Sequence, residues 1–483
     1  MNVAKVRRNT QRKHGSWPVY LGYLGALFAY LFFAQDGYST DVRVLAWVVF
    51  VVGSMPAVSY ISNRRLYFPV IEIIFLSYVN AFSLPVFFQV SERIMVKTLL
   101  PAGLPLAFCM LLVLFVMATL WLGFRLAPSL LKGIKSPNLA MNCSNNRLFL
   151  YGCLLCLLSF MASFFSFGPY QGLINVVTSS VLGVALLSYL FWKRKLGLSK
   201  RIVFFSLVSL LVLEGVSTGM TQAMLEPLFV VYVCRCIVLE KLSIHYVVLG
   251  VVAFVLIQPV KLEYRAQVWG VASQKGLLEK VDIFTSKFYD HWFSSDGENR
   301  VAESTYNRTS LLLSTSHVID WTPSVVPYAG GRTLYFLPVN WIPRFIWPNK
   351  PIAQQANIDF AIDYGVTTVR GARSTMFGVG HLGEAFMNFG AKGIGMVFLV
   401  IGFLTYLPLH ILRFSKQALG EFRSPQGGNS IASMSILTAV LLQFIYIGSS
   451  LGDSYGGVIQ LIIVHGVGLH FFARKKAGLG LPV

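Results

Sequence analysis

A histidine and a glutamate, His381 and Glu384, lie three residues apart in the segment GVGHLGEAFMNFG. On a helix, this spacing places both side chains on one face. A histidine or a carboxylate in a partly dry pocket can remove the proton from a hydroxyl near neutral pH. We therefore expect Glu384, with His381 beside it, to act in catalysis or to contact a substrate; the alternative is a hydrogen-bonded helix start. No third ligand follows at a suitable spacing, so we expect no metal site here.

A second candidate set is cationic and lies in the same part of the chain. Its members are Arg265, Arg300, Arg308, Arg332, Arg344, Lys350, Arg370 and Arg373. A guanidinium group bonds two oxygens at once and stays charged, which suits a phosphate or a diphosphate. Arg344 and Lys350 stand in the stretch WIPRFIWPNKP, whose prolines restrict the backbone. We expect the set to bind a diphosphate, whereas any single arginine could instead anchor a loop at lipid headgroups.

The elements that must position these residues are membrane helices. Of the 483 residues, 55% are hydrophobic and 12% are charged, whereas soluble domains have about 25% charged residues. Apolar runs of about 20 residues recur, and each is long enough to cross a bilayer. The sequence predicts an all-α polytopic integral membrane protein with about 12 transmembrane helices. The predicted spans are 17–34, 43–61, 67–88, 100–126, 147–167, 173–192, 201–217, 220–239, 243–260, 391–413, 430–448 and 456–473.

These spans divide the chain into three regions. Residues 1–260 form an N-terminal membrane bundle of about nine helices, residues 261–390 form one large loop, and residues 391–483 form a C-terminal bundle of about three helices. The formal charge of +20 is concentrated in the tails and in short loops on one side, while the large loop has 12 Lys/Arg and 11 Asp/Glu. This positive-inside pattern predicts cytoplasmic termini and a large loop on the opposite side. We attribute the charge to topology and expect no nucleic-acid partner.

The large loop is predicted to be partly helical. Residues 277–293 have the spacing of an amphipathic surface helix, and 299–315, 353–364 and 375–389 are further candidates, the last running directly into the span at 391. Long ordered loops of this kind tend to be functional. The short connection STGMTQ between the spans 201–217 and 220–239 is compatible with a tight hairpin or a re-entrant break.

A third candidate set consists of charged residues within the spans: Glu72, Glu214, Glu226 and Arg235. Charges inside a membrane are costly and mark candidate functional sites. The predicted topology puts Glu214 and Glu226 near the outer ends of adjacent spans, where both can line one cavity. The same pair would suit a proton-coupled transporter, so a transport function stays open.

Three segments of the large loop resemble one family. IPRFIWPNKP, HLGEAFMNFG and PYAGGRTLYF are similar to stretches in the large periplasmic loop of bacterial oligosaccharide repeat-unit polymerases, the Wzy-type O-antigen polymerases. The resemblance covers about residues 255–400 by motif and the rest by span count and hydropathy. Matching positions are occupied by Arg344, Lys350, Glu384, Asn388 and Gly390. Many relatives also carry an arginine near the segment that here reads VSTGMTQAM; this chain has none there, and Arg265 is the candidate replacement.

The resemblance implies a fold related to the GT-C class of membrane glycosyltransferases, in a bacterial inner membrane with the large loop periplasmic. Such an enzyme transfers a growing glycan from undecaprenyl diphosphate to a sugar hydroxyl of an incoming lipid-linked repeat unit, and no cofactor is expected. The expected partners are the undecaprenyl-diphosphate-linked oligosaccharide and membrane lipids, with a chain-length regulator as a further candidate.

Within this chemistry, Arg344 and Arg265 would stabilise the leaving diphosphate, and Glu384 with His381 would act as the base. The expected substrate-binding residues are Arg300, Arg308, Arg332, Lys350, Arg373, Asn388, Tyr328 and Trp347. The alternatives are an O-antigen-ligase-like transferase and a flippase or transporter of lipid-linked glycans. Transporters tend to have pseudo-symmetric halves, so the unequal division around the loop favours the enzyme.

Overall fold

The computed structural model describes residues 23–25, 27–28, 38–62, 68–87, 105–134, 143–165, 167–239, 243–269, 275–293, 310–342, 344, 346–374, 377–412 and 431–473. Its longer elements are all α-helices, and the described residues form no β-strand. The helices are α1 (Thr40–Ser62), α2 (Val70–Phe87, with a π-helical turn at Val79–Ser83), α3 (Leu106–Leu130), α4 (Asn145–Ala162), α5 (Gln171–Val177), α6 (Ser180–Trp192), α7 (Leu198–Thr218), α8 (Thr221–Leu239), α9 (Ile244–Val268), α10 (Leu277–Phe293), α11 (Leu312–Trp321), α12 (Gln355–Asp363), α13 (Val369–Ser374), α14 (Gly380–Ile411), α15 (Ile431–Ile445) and α16 (Leu451–Ala473).

Nine stretches of the described chain are long and apolar enough to cross a membrane. They correspond to α1, α2, α3, α4, α5 with α6, α7, α8, α14 and α16. The prediction of an all-helical polytopic membrane protein is therefore confirmed. Two shorter apolar helices, His245–Lys261 within α9 and α15, coincide with two further predicted spans. The predicted span 17–34 lies mostly outside the described residues, so the total of about twelve and the GT-C likeness stay predictions.

The hairpin between α7 and α8 is tight. Gly219 ends α7 in the left-handed conformation, with φ 64°, which glycine adopts without steric cost. A Cβ atom on Gly215 would lie 2.5 Å from the carbonyl carbon of Ala223, so the two helices meet backbone to backbone. Both helices are long enough to span a membrane. Of the two alternatives that the sequence allows, the structure adopts the tight hairpin.

The longest helix, α14, packs against α3 through glycines. A Cβ atom on Gly123 would collide with the carbonyl oxygen of Leu399, and one on Gly402 would collide with that of Leu120. Small residues at such crossings let membrane helices approach closely. Near its start α14 breaks at Gly390, where φ is 61° and ψ is −166°, a conformation essentially restricted to glycine. The predicted helix leading into the span at 391 is confirmed; it begins at Gly380.

Two other predicted loop helices are confirmed. The amphipathic helix is α10, and its Trp292 indole donates a 3.0 Å hydrogen bond to the carbonyl of Leu256 on α9. The helix expected at 353–364 is α12. The helix expected at 299–315 falls largely outside the described residues, and the described helix in that region, α11, begins only at Leu312.

The described part of the large loop after residue 310 covers one end of the bundle. Leu311 donates its backbone N–H to the carbonyl of Ala81 at the end of α2 over 2.9 Å. The Asn340 amide donates to the carbonyl of Gly452 in the first turn of α16 over 2.9 Å. Loop residues are thereby fixed at the end of the bundle where α14 and α16 begin.

Candidate functional site

Glu384 and Asn388 fasten the loop segment 329–333 to the first part of α14. Glu384 is 1% exposed and accepts hydrogen bonds from the Thr333 hydroxyl (2.7 Å) and from the backbone N–H of Leu451 (2.6 Å). The Asn388 amide donates to the Thr333 hydroxyl oxygen over 2.8 Å, and its carbonyl oxygen accepts from the N–H of Gly331 over 3.0 Å. The Thr333 hydroxyl therefore gives its own proton to Glu384. Both carboxylate oxygens have fixed donors.

His381 lies on the same face of α14 as Glu384. Its ring nitrogen Nε2 lies 2.9 Å from the Ser454 hydroxyl on α16, and its backbone N–H donates to the carbonyl of Ile447 over 2.9 Å. The side chain is 2% exposed. His381 and Glu384 thus do share one face of a helix, and that face packs on the start of α16. Neither residue lines the two polar pockets described below, and their roles as bases stay predictions.

Arg344 and Lys350 hold the proline-rich stretch in a closed turn. Arg344 donates to the carbonyls of Lys350 (2.7 Å) and Pro351 (3.1 Å). Lys350 donates through Nζ to the carbonyls of Asn340 (2.7 Å) and Ile342 (3.0 Å). Each cation therefore fixes the backbone near the other. Carbonyl groups carry no net charge, so these bonds orient both cations without neutralising them.

A pocket of about 350 Å³ contains both cations. It lies between this stretch, the α5 region and the first turns of α16, and Asn340, Gln443 and Gln460 also line it. Burial, and secondarily the charge of Arg344, lowers the pKa of Lys350. We call this space the cationic pocket. Its lining carries these two cations and one carboxylate, Asp453, and the donors of the two cations suit a phosphate-sized anion.

A much larger polar cavity, of about 1380 Å³, adjoins the cationic pocket. The two spaces share four lining residues, Asn175, Ser179, Gln443 and Asp453. Glu214 and Glu226 both line the cavity, as predicted. The Tyr446 hydroxyl donates to Glu226 over 2.9 Å. Pockets for small molecules usually measure about 300–1,000 Å³, so this cavity has room for a longer ligand.

Four lining residues of the polar cavity each keep one polar atom without a hydrogen-bond partner among the described residues. The atoms are Thr221 Oγ1, Gln258 Oε1, His317 Nδ1 and Asn357 Nδ2. All four side chains are 4% exposed or less. A buried polar group without a partner costs about 1–3 kcal/mol. The set includes hydrogen-bond donors and hydrogen-bond acceptors, and its amide and hydroxyl groups are uncharged. This pattern matches a ligand with many hydroxyl groups, since each hydroxyl both donates and accepts.

Arg265 lies at the α7–α8 hairpin. Its Nε donates to the carbonyl of Gly219 over 2.8 Å, and its guanidinium stacks 4.1 Å from the ring centroid of Trp269. Trp269 and Tyr264 donate to the neighbouring carbonyls of Thr218 (3.0 Å) and Ser217 (3.2 Å). The end of α9 therefore caps the last carbonyls of α7. Arg265 occupies the neighbourhood of VSTGMTQAM, where the resemblance implies an arginine, but it lines neither polar pocket.

Arg332 forms a surface ion pair. It reaches Asp359 over 2.9 Å and Asp363 over 3.7 Å, and its side chain is 60% exposed. Burial and the charge of Asp359 raise the pKa of Asp363, while Arg332 opposes the shift. Arg332 lines neither polar pocket. Its predicted substrate contact stays a prediction.

The remaining predicted residues are Arg300, Arg308, Arg373, Tyr328 and Trp347. Arg300 and Arg308 lie outside the described residues, and Arg373 lies on α13 with its side chain outside the description. Tyr328 is exposed, and its hydroxyl packs so close to Gly390 that an added Cβ there would lie 2.6 Å away. Trp347 is half-buried. Neither aromatic lines the polar pockets.

Sequence reasoning missed the cavity residues His317, Gln258 and Asn357. Gln258 is an isolated polar residue in the apolar run FVLIQPV, and His317 ends a short polar run, STSH, between apolar residues in LLLSTSHVI. A buried polar residue in such a run needs a partner, and that requirement is the signal that could have marked them.

No group of three or more His, Cys, Asp or Glu side chains within the described ranges could hold a metal ion. No family model, no curated protein and no solved structure matches this chain. Function has to be inferred from the chemistry of the residues themselves.

Proposed function

We propose that this chain is a membrane glycosyltransferase that polymerises lipid-linked oligosaccharide repeat units. It would move the growing glycan from undecaprenyl diphosphate to a sugar hydroxyl of an incoming lipid-linked unit. One observation carries the proposal: a large polar cavity, whose lining residues include buried groups without a hydrogen-bond partner among the described residues, adjoins a pocket with two oriented cations. The cavity fits the glycan, and the cationic pocket fits the diphosphate.

The cationic pocket supplies what a leaving diphosphate needs. When the bond between the anomeric carbon and the diphosphate oxygen breaks, its electron pair adds negative charge to the diphosphate. Fixed cations stabilise such charge without reorganising at the moment of reaction, at about 2.7–4 kcal/mol per group. Arg344 and Lys350 are held by backbone carbonyls, so they are fixed in this sense.

The polar cavity supplies what a neutral glycan needs. Thr221, Gln258 and Asn357 offer uncharged hydrogen-bonding groups of both kinds from α8, α9 and α12. The cavity exceeds the usual size of a small-molecule pocket. Both features favour an oligosaccharide over a single small solute. An O-antigen-ligase-like transferase would use the same arrangement with a different acceptor.

A flippase or transporter of lipid-linked glycans is the second candidate. The observation in its favour is that Glu214 and Glu226 lie on membrane spans and line the cavity. Charged residues in that setting commonly carry protons in transporters. Because both candidate functions would use this cavity, the experiment must distinguish polymerisation from transport.

The test is a glycan analysis in a strain of the source bacterium that lacks this chain. A lost polymerase leaves single repeat units on the lipid outside the inner membrane, and the surface polysaccharide carries one unit. A lost flippase leaves no repeat units outside to be used. Single units on the surface support the proposal, and a complete absence of surface units contradicts it.

A further inference from the structure

The polar cavity contains an imidazole that the predicted mechanism does not use. His317 lies in the middle of α11 and is 3% exposed. Its Nε2 lies 3.0 Å from the carbonyl oxygen of Tyr364, and its Nδ1 has no partner among the described residues. The ring of Trp321 packs beside it, with centroids 4.5 Å apart.

The Tyr364 contact fixes the tautomer of His317. A carbonyl oxygen only accepts hydrogen bonds, so the Nε2 atom must carry the proton. In the neutral ring, Nδ1 then has a free lone pair. This arrangement, with one ring nitrogen held by a carbonyl and the other free, is the one that orients a histidine to accept a proton.

The competing carboxylates are less free. Both oxygens of Glu384 hold fixed donors, Thr333 and Leu451, and Glu384 does not line the cavity. Three carboxylates line the cavity, and each already has a hydrogen-bond partner. Glu226 accepts from the Tyr446 hydroxyl, Asp453 accepts from the Ser449 hydroxyl, and Glu214 is hydrogen-bonded to Ser163. His317 lines the cavity, its tautomer is set by the Tyr364 carbonyl, and its buried Nδ1 atom has no partner among the described residues.

We infer that Nδ1 of His317 is the general base that takes the proton from the acceptor hydroxyl, an inference that rests on the proposed function. The acceptor O–H bond breaks and an N–H bond forms on Nδ1. The acceptor oxygen bonds to the anomeric carbon, and the carbon–oxygen bond to the diphosphate breaks with its electron pair on the diphosphate. The imidazolium then releases its proton to water. Asn357 lines the same cavity, and its buried Nδ2 atom has no partner among the described residues. In this inference, the Asn357 amide donates a hydrogen bond to an oxygen of the sugar.

The test uses the full-length protein in nanodiscs with purified undecaprenyl-diphosphate-linked repeat units, and it follows chain elongation with time. His317→Gln keeps an amide N–H that can reach the Tyr364 carbonyl but removes the ring lone pair. We expect kcat to fall by about 100-fold or more, with little change in KM. The control is His410→Gln. His410 also contacts a backbone carbonyl, that of Ile134 over 3.2 Å, but it lies outside the cavity, and we expect wild-type rates.

A second variant keeps the test valid if the glutamine variant misfolds. His317→Ala leaves space for free imidazole, which should restore part of the elongation rate in proportion to its concentration. Wild-type kcat in His317→Gln, or no imidazole response in a folded His317→Ala protein, would overturn the role of His317 and leave the polymerase assignment intact. No elongation by the wild-type protein would overturn both.

Discussion

The guanidinium of Arg344 donates a 2.7 Å hydrogen bond to the backbone carbonyl of Lys350, six residues further along the chain. Lys350 in turn donates to the carbonyls of Asn340 and Ile342, on the other side of Arg344. The two cations therefore close a loop that prolines already stiffen, and both line the same pocket. The proposed diphosphate site rests on this reciprocal brace.

Removing Arg344 should abolish polymerisation. Arg344→Ala deletes one cation of the pocket together with its brace, and loss of one preorganised donor of this kind costs about 100-fold or more in rate. The measurement is the polysaccharide ladder, with protein abundance in the membrane determined in parallel. Lys287→Ala is the control, because Lys287 belongs to the same large loop, lies outside the predicted site and pairs with Asp290 on α10. Equal ladders for both variants would show that Arg344 only anchors a loop.

Lys350 should make substrate binding sensitive to alkaline pH. Its pKa lies below the ordinary value, so the ammonium loses its charge at a lower pH than an exposed lysine does. In the window between the lowered folded pKa and the higher unfolded pKa, the unfolded chain binds more protons. Folding stability therefore rises with pH there, while affinity for the diphosphate falls. KM measured against pH should rise at the alkaline end, and Lys350→Arg should remove that rise. A pH-independent KM in the wild type would contradict the role of Lys350.

Glu384→Gln should affect stability more than chemistry. The amide nitrogen cannot accept a hydrogen bond, so one of the donors, Thr333 or Leu451, loses its acceptor, at a cost of about 1–3 kcal/mol. We expect a lower Tm and a nearly normal elongation rate per folded molecule. An unchanged Tm with a rate reduced about 100-fold would instead establish Glu384 as the base that the sequence predicts.

Gln258→Leu should weaken binding of the lipid-linked unit without lowering the stability of the protein. The Gln258 carbonyl oxygen is buried without a partner among the described residues, so an apolar replacement should leave Tm unchanged or raise it. The same change removes a hydrogen-bonding group from the cavity and should raise KM for the lipid-linked unit. Ser316→Ala is the control, since Ser316 is buried with an unpartnered hydroxyl but does not line the cavity. A normal KM in Gln258→Leu would show that this part of the cavity wall does not bind the glycan.

The helices could be predicted because hydropathy and length determine them locally. The loop helix before Gly390 and the surface helix α10 followed from spacing alone. The contacts of the site could not be predicted from spacing, because they join distant parts of the chain. The face that carries His381 and Glu384 was predicted correctly, but the surface it meets belongs to α16, about 70 residues later.

His317 could not be predicted for the same reason, because its partner is distant in sequence. A histidine beside apolar residues is usually a satisfied core residue, and the partner of His317, the carbonyl of Tyr364, is 47 residues away in sequence. The brace between Arg344 and Lys350 is local, but its formation depends on turns at prolines and on the contact of Asn340 with α16. Residue types indicated a cationic site, and tertiary packing decides which of the cations share a pocket.

The central claim is tested most directly by reconstituting the purified full-length protein in nanodiscs with undecaprenyl-diphosphate-linked repeat units and no other enzyme. We predict chains of increasing length, with release of undecaprenyl diphosphate in proportion to the linkages formed, and no chains with Arg344→Ala. Repeat units that remain single in the presence of folded wild-type protein would contradict the account.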